Sequence, residues 1–227
     1  MRPSARATWL SFITKDEGNI PYMYLDTKGL VTVGIGNLID PVSLALGLPF
    51  VFRAKNRHRM SPGRQATKSD IQTEWNYIKS HPQRKIFEMR GHTKVEPYAS
   101  LELSTADRLA LFRRTTLSYE NTLRNYFKDY GDWPADAQLG LLAMAWGLGP
   151  YFPKTWPRFK AACQKQDFDG AVKACRVSSW RPSRNRKSVH LFGNAARVHN
   201  NPSSYDPKNL YYPSVLLDTV VVTASTK

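Results

Sequence analysis

The run from Ala137 to Leu148 is apolar around nearly its whole circumference, and this restricts the fold of the 227-residue chain more than any other feature. An α-helix without a polar face must be covered by other elements on every side. Pro134 comes shortly before the run and is a good first helical residue, since its nitrogen carries no hydrogen to leave unpaired. The sequence therefore predicts a helical lobe built around one buried central helix.

Other parts of the chain show the spacing of amphipathic helices. Apolar residues at helical intervals predict helices over 5–16, 69–79, 104–127, 156–166, 168–177 and 188–198. Segments 41–65 and 80–102 show no clear period and are expected to be irregular, while the segment from Pro202 is expected to be either a late strand or a flexible terminus. The longest apolar stretch, 38–52, is interrupted by Asp, Pro and Gly, so no membrane insertion is expected.

Between Pro21 and Gly36 the pattern changes from helical to alternating, which predicts a β-hairpin. Tyr22, Tyr24 and Asp26 fall on one side of its first strand, and a turn around residue 29 leads into the second. The two tyrosines precede the aspartate on its strand, so we expect Tyr22 and Tyr24 to bind substrate if the hairpin carries a site.

Three polar residues of this region form a candidate catalytic set. Glu17 ends the first predicted helix, Asp26 follows nine residues later, and Thr32 lies six residues further on the facing strand. Glycoside hydrolysis needs one carboxyl group that donates a proton and one ionised carboxylate near the anomeric carbon. We expect Glu17 to be the acid, because the helix dipole and neighbouring Asp16 oppose its ionisation and raise its pKa. Asp26 is expected to stay ionised and, with Thr32, to activate water.

The combined pattern of this region resembles the phage-type lysozymes of glycoside hydrolase family 24 and the related pesticin-like muramidases. It consists of Glu17-Gly18, Tyr24, Asp26, Gly29 and Thr32-Val33-Gly34-Ile35-Gly36. The resemblance returns in the helical part, over Pro134–Gln138 and Ala143–Gly149, Asp167–Ala171, Ser179-Trp180, Asn185-Arg186 and Phe192–Ala195. It does not extend over 41–97, which is longer and more basic than the family's connection.

The resemblance implies an α+β, mainly helical fold with two lobes, a small β-hairpin lobe and a helical lobe. The expected domain covers residues 1–200, with the N-terminal helix, hairpin and basic insertion in 1–97, the helical lobe in 98–200 and a tail in 201–227. It also implies hydrolysis of the β-1,4 bond between N-acetylmuramic acid and N-acetylglucosamine in peptidoglycan glycan strands. No cofactor and no metal are expected.

The resemblance assigns residue roles as well. The family's acid matches Glu17, and its two water-handling residues match Asp26 and Thr32. An arginine of the family pairs with the acid and orients it; Arg186 is its expected counterpart here, and a shift of one residue leaves Arg184 or Lys187 as alternatives.

The formal net charge of +15 comes from two segments. Segment 41–97 has 11 basic and 4 acidic residues, and segment 151–200 has 11 basic and 2 acidic residues. Fixed positive charge favours polyanions of any kind. We expect it to attract the protein to an anionic cell wall, with Arg53, Arg57 and Arg59 as the residues to test, and we expect no nucleic acid partner.

Other expectations concern the thiols and the surroundings of the protein. Cys163 and Cys175 are too few for a disulfide scaffold, so two free thiols are expected, with a single bridge as the alternative. The first ten residues contain two arginines but no apolar run behind them, so we do not expect a secretory signal there. We expect a monomer made in the cytoplasm and delivered to the periplasm or cell wall by a secretion system or lysis. The hydrophobic end at 217–224 resembles tails of type VI secretion effectors, which would add an immunity protein as a partner.

Two other functions fit parts of the same pattern. A lytic transglycosylase needs only the acid Glu17 and forms an anhydro-sugar, although Asp26 and Thr32 argue against it. A catalytically inactive lysozyme scaffold that binds polyanions would use the basic segments alone.

Overall fold

The computed structural model describes residues 1–90 and 92–216. The helices of this part are α1 (Pro3–Glu17), α2 (Lys68–Lys79), α3 (Arg84–Arg90), α4 (His92–Val95), α5 (Thr105–Tyr126), α6 (Ala135–Leu148), α7 (Pro157–Gln164), α8 (Phe168–Ala174) and α9 (Pro182–Asn200). Its strands are β1 (Ile20–Leu25), β2 (Val31–Gly34), β3 (Asn37–Leu38), β4 (Val51–Phe52) and β5 (Leu101–Glu102). The small sheets β1-β2-β3 and β4-β5 are antiparallel. The protein is thus α+β and mainly helical, which confirms the coarse fold class.

The chain forms two compact units. The helical unit contains residues 1–12 and, of the described chain, 116–216, and the hairpin unit contains residues 13–115. The boundaries fall inside α1 and α5, so each of these helices contributes to both units. The boundary between the two lobes that is expected from the sequence lies instead at residues 97 and 98.

Helix α6 is the centre of the helical unit, and its residues from Ala135 to Trp146 are all buried. Helix α9 packs closely along α6, because Gly140 has no side chain at the contact. A Cβ atom at this position would lie 3.2 Å from two ring carbons of Phe192. The predicted central helix is confirmed. Helix α9 was predicted only from residue 188, and it begins earlier, at Pro182.

The segment after α9 is tied to the helical unit by a buried carboxylate. Asp136 is fully buried and accepts hydrogen bonds from the backbone amides of residues 211–212 and from Asn194 Nδ2. The described part of this segment, residues 202–216, consists of turns and contains no strand. Residues 217–224, which were compared with effector tails, lie outside the described residues.

The hairpin predicted over 21–36 is confirmed. Strand β1 pairs with β2 in antiparallel register, and the turn between them places Gly29 at a φ of +72°, with its amide donating to the Asp26 carbonyl at 2.9 Å. A Cβ atom at Gly29 would lie 2.7 Å from Glu88 Oε1. Glycine is favoured there because the left-handed conformation costs it little, whereas the Glu88 carboxyl group could move aside.

The basic insertion supplies much of the core of the hairpin unit. Its fully or nearly fully buried members include Phe50, Phe52, Ile71, Ile78, Phe87 and Val95. The prediction that 80–102 is irregular was wrong, since α3, α4 and β5 lie within it. Helix α3 has seven residues and α4 has four, so the helical period does not repeat often enough to be recognised.

The two cysteines lie in the interior of the helical unit. Cys163 and Cys175 are both free thiols and both buried, which confirms the first of the two expectations. Burial raises the pKa of the Cys175 thiol to about 11 and raises the pKa of the Cys163 thiol as well. Thiols of this kind are unreactive packing residues.

Candidate active site

Glu17 is the last residue of α1. The helix stops there because Gly18 adopts a φ of +72°, with its amide donating to the Thr14 carbonyl at 2.9 Å. Such a glycine is a common helix C-cap, since the left-handed conformation costs it little. The Glu17 residue is half-buried, and its Oε1 atom is fully buried. The local sequence thus holds this carboxyl group directly ahead of β1.

Asp26 follows β1 and is fixed by the hairpin turn. Its Oδ1 atom accepts hydrogen bonds from the amides of Lys28 and Leu30, both at 2.8 Å. Its own backbone amide donates to the Leu30 carbonyl at 2.9 Å. A carboxylate that bonds to the backbone two residues on is typical of an Asx turn. The turn therefore uses one carboxylate oxygen of Asp26 and sets the orientation of the other.

Thr32 lies on β2 directly opposite Tyr24 in the strand register. It is 5% exposed, and its Oγ1 atom donates to the Leu30 carbonyl at 3.2 Å. Because side chains alternate along a strand, Tyr24 and the position two residues on, Asp26, are directed to the same side. Thr32 shares that side as the cross-strand partner of Tyr24.

Tyr24 lies in the electrostatic field of both candidate carboxylates. Burial raises the pKa of its phenol, and the negative charges of Glu17 and Asp26 raise it further. The half-buried tyrosine thus has the carboxyl group at the end of α1 and the one in the hairpin turn as its charged neighbours. The structure brings Glu17, Asp26, Thr32 and Tyr24 to one part of the hairpin unit.

Tyr22 has a different environment from the one predicted. It is 3% exposed, and the Arg53 guanidinium lies over its ring at 4.7 Å. Burial, with a smaller contribution from the charge of Glu96, raises the pKa of Tyr22 to about 12. Its role in substrate binding stays a prediction, and the side chain has little accessible surface with which to fulfil it.

His92 is a neighbour of the site that the sequence did not indicate. The Tyr22 hydroxyl lies 3.5 Å from its Nδ1 atom, and the rings of His92 and Tyr24 meet edge to face with centroids 6.2 Å apart. Helix α4 packs on β1 and brings the imidazole there across about 70 residues of sequence. No spacing rule signals such a contact.

The candidate partners of the acid lie on α9 in the helical unit. Arg186 is exposed, whereas the guanidinium of Arg184 lies 4.2 Å from the ring of Trp180. Lys187 Nζ lies 5.2 Å from the Phe12 ring. The orienting role of Arg186, with Arg184 and Lys187 as alternatives, stays a prediction.

The basic residues of 53–68 fall into two groups. Arg53 and Arg57 form ion pairs: Arg53 lies 3.2 Å from Glu96 and 3.6 Å from Glu102, and Arg57 lies 2.7 Å from Glu74. Their guanidinium groups also bind backbone carbonyls. The expectation that both attract the protein to an anionic cell wall stays a prediction. The exposed cations without an ion pair in the described structure are Lys55, Arg59, Arg64 and Lys68.

Within the described residues, no group of three or more His, Cys, Asp or Glu side chains is arranged to hold a metal ion. None of the helices described combines the length and apolar character required to cross a bilayer.

The chain matches no protein family profile and no curated protein. The family resemblance therefore rests on the residues quoted above.

Proposed function

We propose that the protein is a muramidase with a lysozyme-like fold, which hydrolyses the β-1,4 bond between N-acetylmuramic acid and N-acetylglucosamine. One observation carries the proposal: Tyr24 has both Glu17 and Asp26 as charged neighbours. Acid-assisted glycoside hydrolysis requires two carboxyl groups in different environments. The same joint pattern of residues underlies the family resemblance.

The two carboxyl groups take different roles. Glu17, with a buried carboxyl oxygen at the negative end of a helix, is the proton donor to the leaving glycosidic oxygen. Asp26, with two amide hydrogen bonds to its Oδ1 atom, is the carboxylate that activates water. Thr32 lies on the same side of the hairpin and helps to hold that water.

Tyr24 completes the site as the residue that contacts the sugar. Its phenol stays protonated at physiological pH, because burial and the two carboxylates raise its pKa. A neutral phenol presents an apolar ring face and a polar tip, a combination suited to carbohydrate.

The test is the lysis of permeabilised bacteria, followed as loss of turbidity. Glu17→Gln and Asp26→Asn should each lower the rate by roughly 10²–10⁴-fold, the usual contribution of a positioned proton-transfer group. Asp129→Asn is the matched control, since Asp129 is an exposed carboxylate of the helical unit. Equal lysis by the wild type and all three variants contradicts the proposal.

The products separate the muramidase from the two other functions. Mass spectrometry of digested wall should find reducing muropeptides; anhydromuropeptides as the main product would identify a lytic transglycosylase instead. An inactive polyanion-binding scaffold predicts no released fragments and a binding constant that falls steeply with salt.

The biological setting belongs to the same proposal. A wall hydrolase of this kind acts on peptidoglycan in the periplasm or cell wall as an antibacterial effector or endolysin. An effector would require an immunity protein in the producing cell.

A further inference from the structure

A cavity of about 750 Å³ lies within the helical unit, between α7 and α8. Its lining includes Trp156, Arg158, Phe159, Lys165, Asp167 and Lys173. The volume is typical of a site for a small molecule or for one unit of a polymer. None of these residues has a role in the proposed chemistry of the hairpin unit.

The cavity carries an excess of positive charge. Arg158, Lys165 and Lys173 line it, all three are exposed, and none lies within ion-pair distance of a carboxylate in the described part of the chain. Asp167 is the one acidic residue of the lining, and its Oδ1 atom accepts a hydrogen bond from the Gly170 amide at 2.8 Å. A ligand that bears carboxylates or phosphates is the complement of this charge.

Most of the remaining lining is apolar. Phe159 is buried beneath the cavity, and the neighbouring positions on α7 and α8 are small residues, which leave the surface open. Gly170 allows this approach of the helices, because a Cβ atom there would lie 3.1 Å from the Cβ of Ala162. Trp156 is half-buried, with its ring edge-on to Phe152 at 6.3 Å.

An indole beside a cluster of unpaired cations suits a sugar ring that carries an anionic substituent. We infer that the cavity is a second, non-catalytic binding site for peptidoglycan: a saccharide ring packs on Trp156, and the carboxylates of the peptide stem bind Lys165, Lys173 and Arg158. The choice of this polymer rests on the proposed function. Single-stranded nucleic acid fits less well. Proteins that bind it stack successive bases on several aromatic side chains. Only one partly exposed aromatic side chain, Trp156, lines this cavity.

The test measures co-sedimentation of the full chain with isolated sacculi, in a Glu17→Gln background that leaves the sacculi intact. The double variant Lys165→Glu/Lys173→Glu reverses two cavity charges. The matched control Lys128→Glu/Arg181→Glu makes the same change in net charge at exposed positions of the helical unit outside the cavity. We expect about tenfold weaker binding for the cavity variant, as for the loss of one or two charge-assisted hydrogen bonds, and less than about twofold for the control.

Two further arms identify the ligand. Sacculi whose peptide-stem carboxylates have been converted to amides should bind the unsubstituted cavity about as weakly as intact sacculi bind the double variant. Trp156→Leu should weaken binding to unmodified and amidated sacculi alike. If the cavity and control variants weaken binding to sacculi equally, net charge alone explains the effect and the proposal is wrong. Cavity-dependent binding to single-stranded DNA, with sacculus binding unchanged, overturns the choice of ligand.

Failure of this site is distinguishable from failure of the muramidase. In the active background, Lys165→Glu/Lys173→Glu should cleave a short soluble glycan at the wild-type rate, because the variant residues lie outside the hairpin unit. If neither the wild type nor Glu17→Gln lyses cells, the muramidase is refuted, while the sedimentation experiment still decides the cavity.

Discussion

Arg57 Nη2 lies 2.7 Å from Glu74 Oε2, and the Glu74 side chain is completely buried. The other carboxylate oxygen of Glu74 accepts a hydrogen bond from the Ser100 amide at 2.7 Å. The guanidinium of Arg57 also lies 3.8 Å from the Tyr77 ring and donates to the Tyr98 carbonyl. An arginine of the basic insertion thus joins α2 to the segment that leads into β5. Part of the unusual positive charge of this protein is therefore structural.

Removal of this arginine should destabilise the hairpin unit strongly. Arg57→Ala leaves the completely buried Glu74 carboxylate without its cation. Because Arg57 is itself partly exposed, the cost lies below that of a fully buried pair, at about 1–3 kcal/mol. Lys55→Ala, at an exposed position without an ion pair in the described structure, should change the free energy of unfolding by less than about 0.5 kcal/mol. Urea denaturation of both variants measures the difference. If both variants lose similarly little free energy of unfolding, the Arg57–Glu74 pair makes no net contribution to stability.

The same pair predicts how stability depends on pH. Burial raises the pKa of Glu74 above its ordinary value, against the opposing effect of Arg57. A carboxyl group with a raised folded-state pKa binds more protons folded than unfolded, so its contribution to stability falls as pH rises from the ordinary value through the folded value. Arg57→Ala removes the cation that lowers the Glu74 pKa, so it raises that pKa further. Its destabilisation should therefore be smaller near pH 4.5 than near pH 7, as measured by denaturation at both; an equal loss at the two values would contradict this.

Asp26 offers a way to separate structure from catalysis. The turn needs an oxygen that accepts from the amides of Lys28 and Leu30, and an asparagine side chain provides one. Asp26→Asn should therefore unfold within about 2 °C of the wild type while its lytic rate falls by roughly 10²-fold or more. Asp26→Ala should lose about 1 kcal/mol of stability as well. A large loss of stability in Asp26→Asn would make the turn, not the chemistry, the reason for any inactivity.

The candidate site could be recognised from sequence because it is local. Glu17, Asp26 and Thr32 come from one helix and the hairpin that follows it, so their placement in one unit does not depend on contacts between distant parts of the chain. Helix α6 was equally predictable, since a run without a polar face can only be buried.

The contacts that sequence could not predict join distant positions. His92 reaches the hairpin only because α4, a helix of four residues, packs on β1. The sequence places Tyr22 and Tyr24 on one side of β1, yet the register is irregular between Ile20 and Tyr24, and Arg53 covers the ring of Tyr22. The roles of Arg53 and Arg57 were missed for the same reason, since an unbroken basic run looks like a solvated surface until its carboxylate partners are known.

Two glycines of the helical unit should respond to alanine in opposite directions. A Cβ atom on Gly147 would lie 2.5 Å from Arg184 Nη2 and 2.6 Å from Trp180 Cζ2, whereas a Cβ atom on Gly193 would meet nothing within 4 Å. Gly147→Ala must displace the stacked pair and should lose about 1–3 kcal/mol. Gly193→Ala, inside α9, should gain about 0.5–1 kcal/mol from the lower flexibility of the unfolded chain. Thermal unfolding measures both, and a gain in both would mean that Arg184 and Trp180 move aside freely.

Asp136 should control whether the segment after α9 stays attached. Its carboxylate accepts from the amides of Tyr211 and Tyr212 at 2.9 Å and from Asn194 Nδ2 at 3.1 Å. Asp136→Ala leaves these donors without an acceptor in the protein interior, at a cost of at least about 2 kcal/mol. Trypsin should then cleave after Lys208 faster than in the wild type, as mass spectrometry of timed digests would show. Asp132→Ala, which removes an exposed carboxylate of the same unit, should leave the cleavage rate unchanged. Resistance of Lys208 in Asp136→Ala would show that other contacts, such as the Ser4 hydroxyl bond to the Lys208 carbonyl, hold the segment on their own.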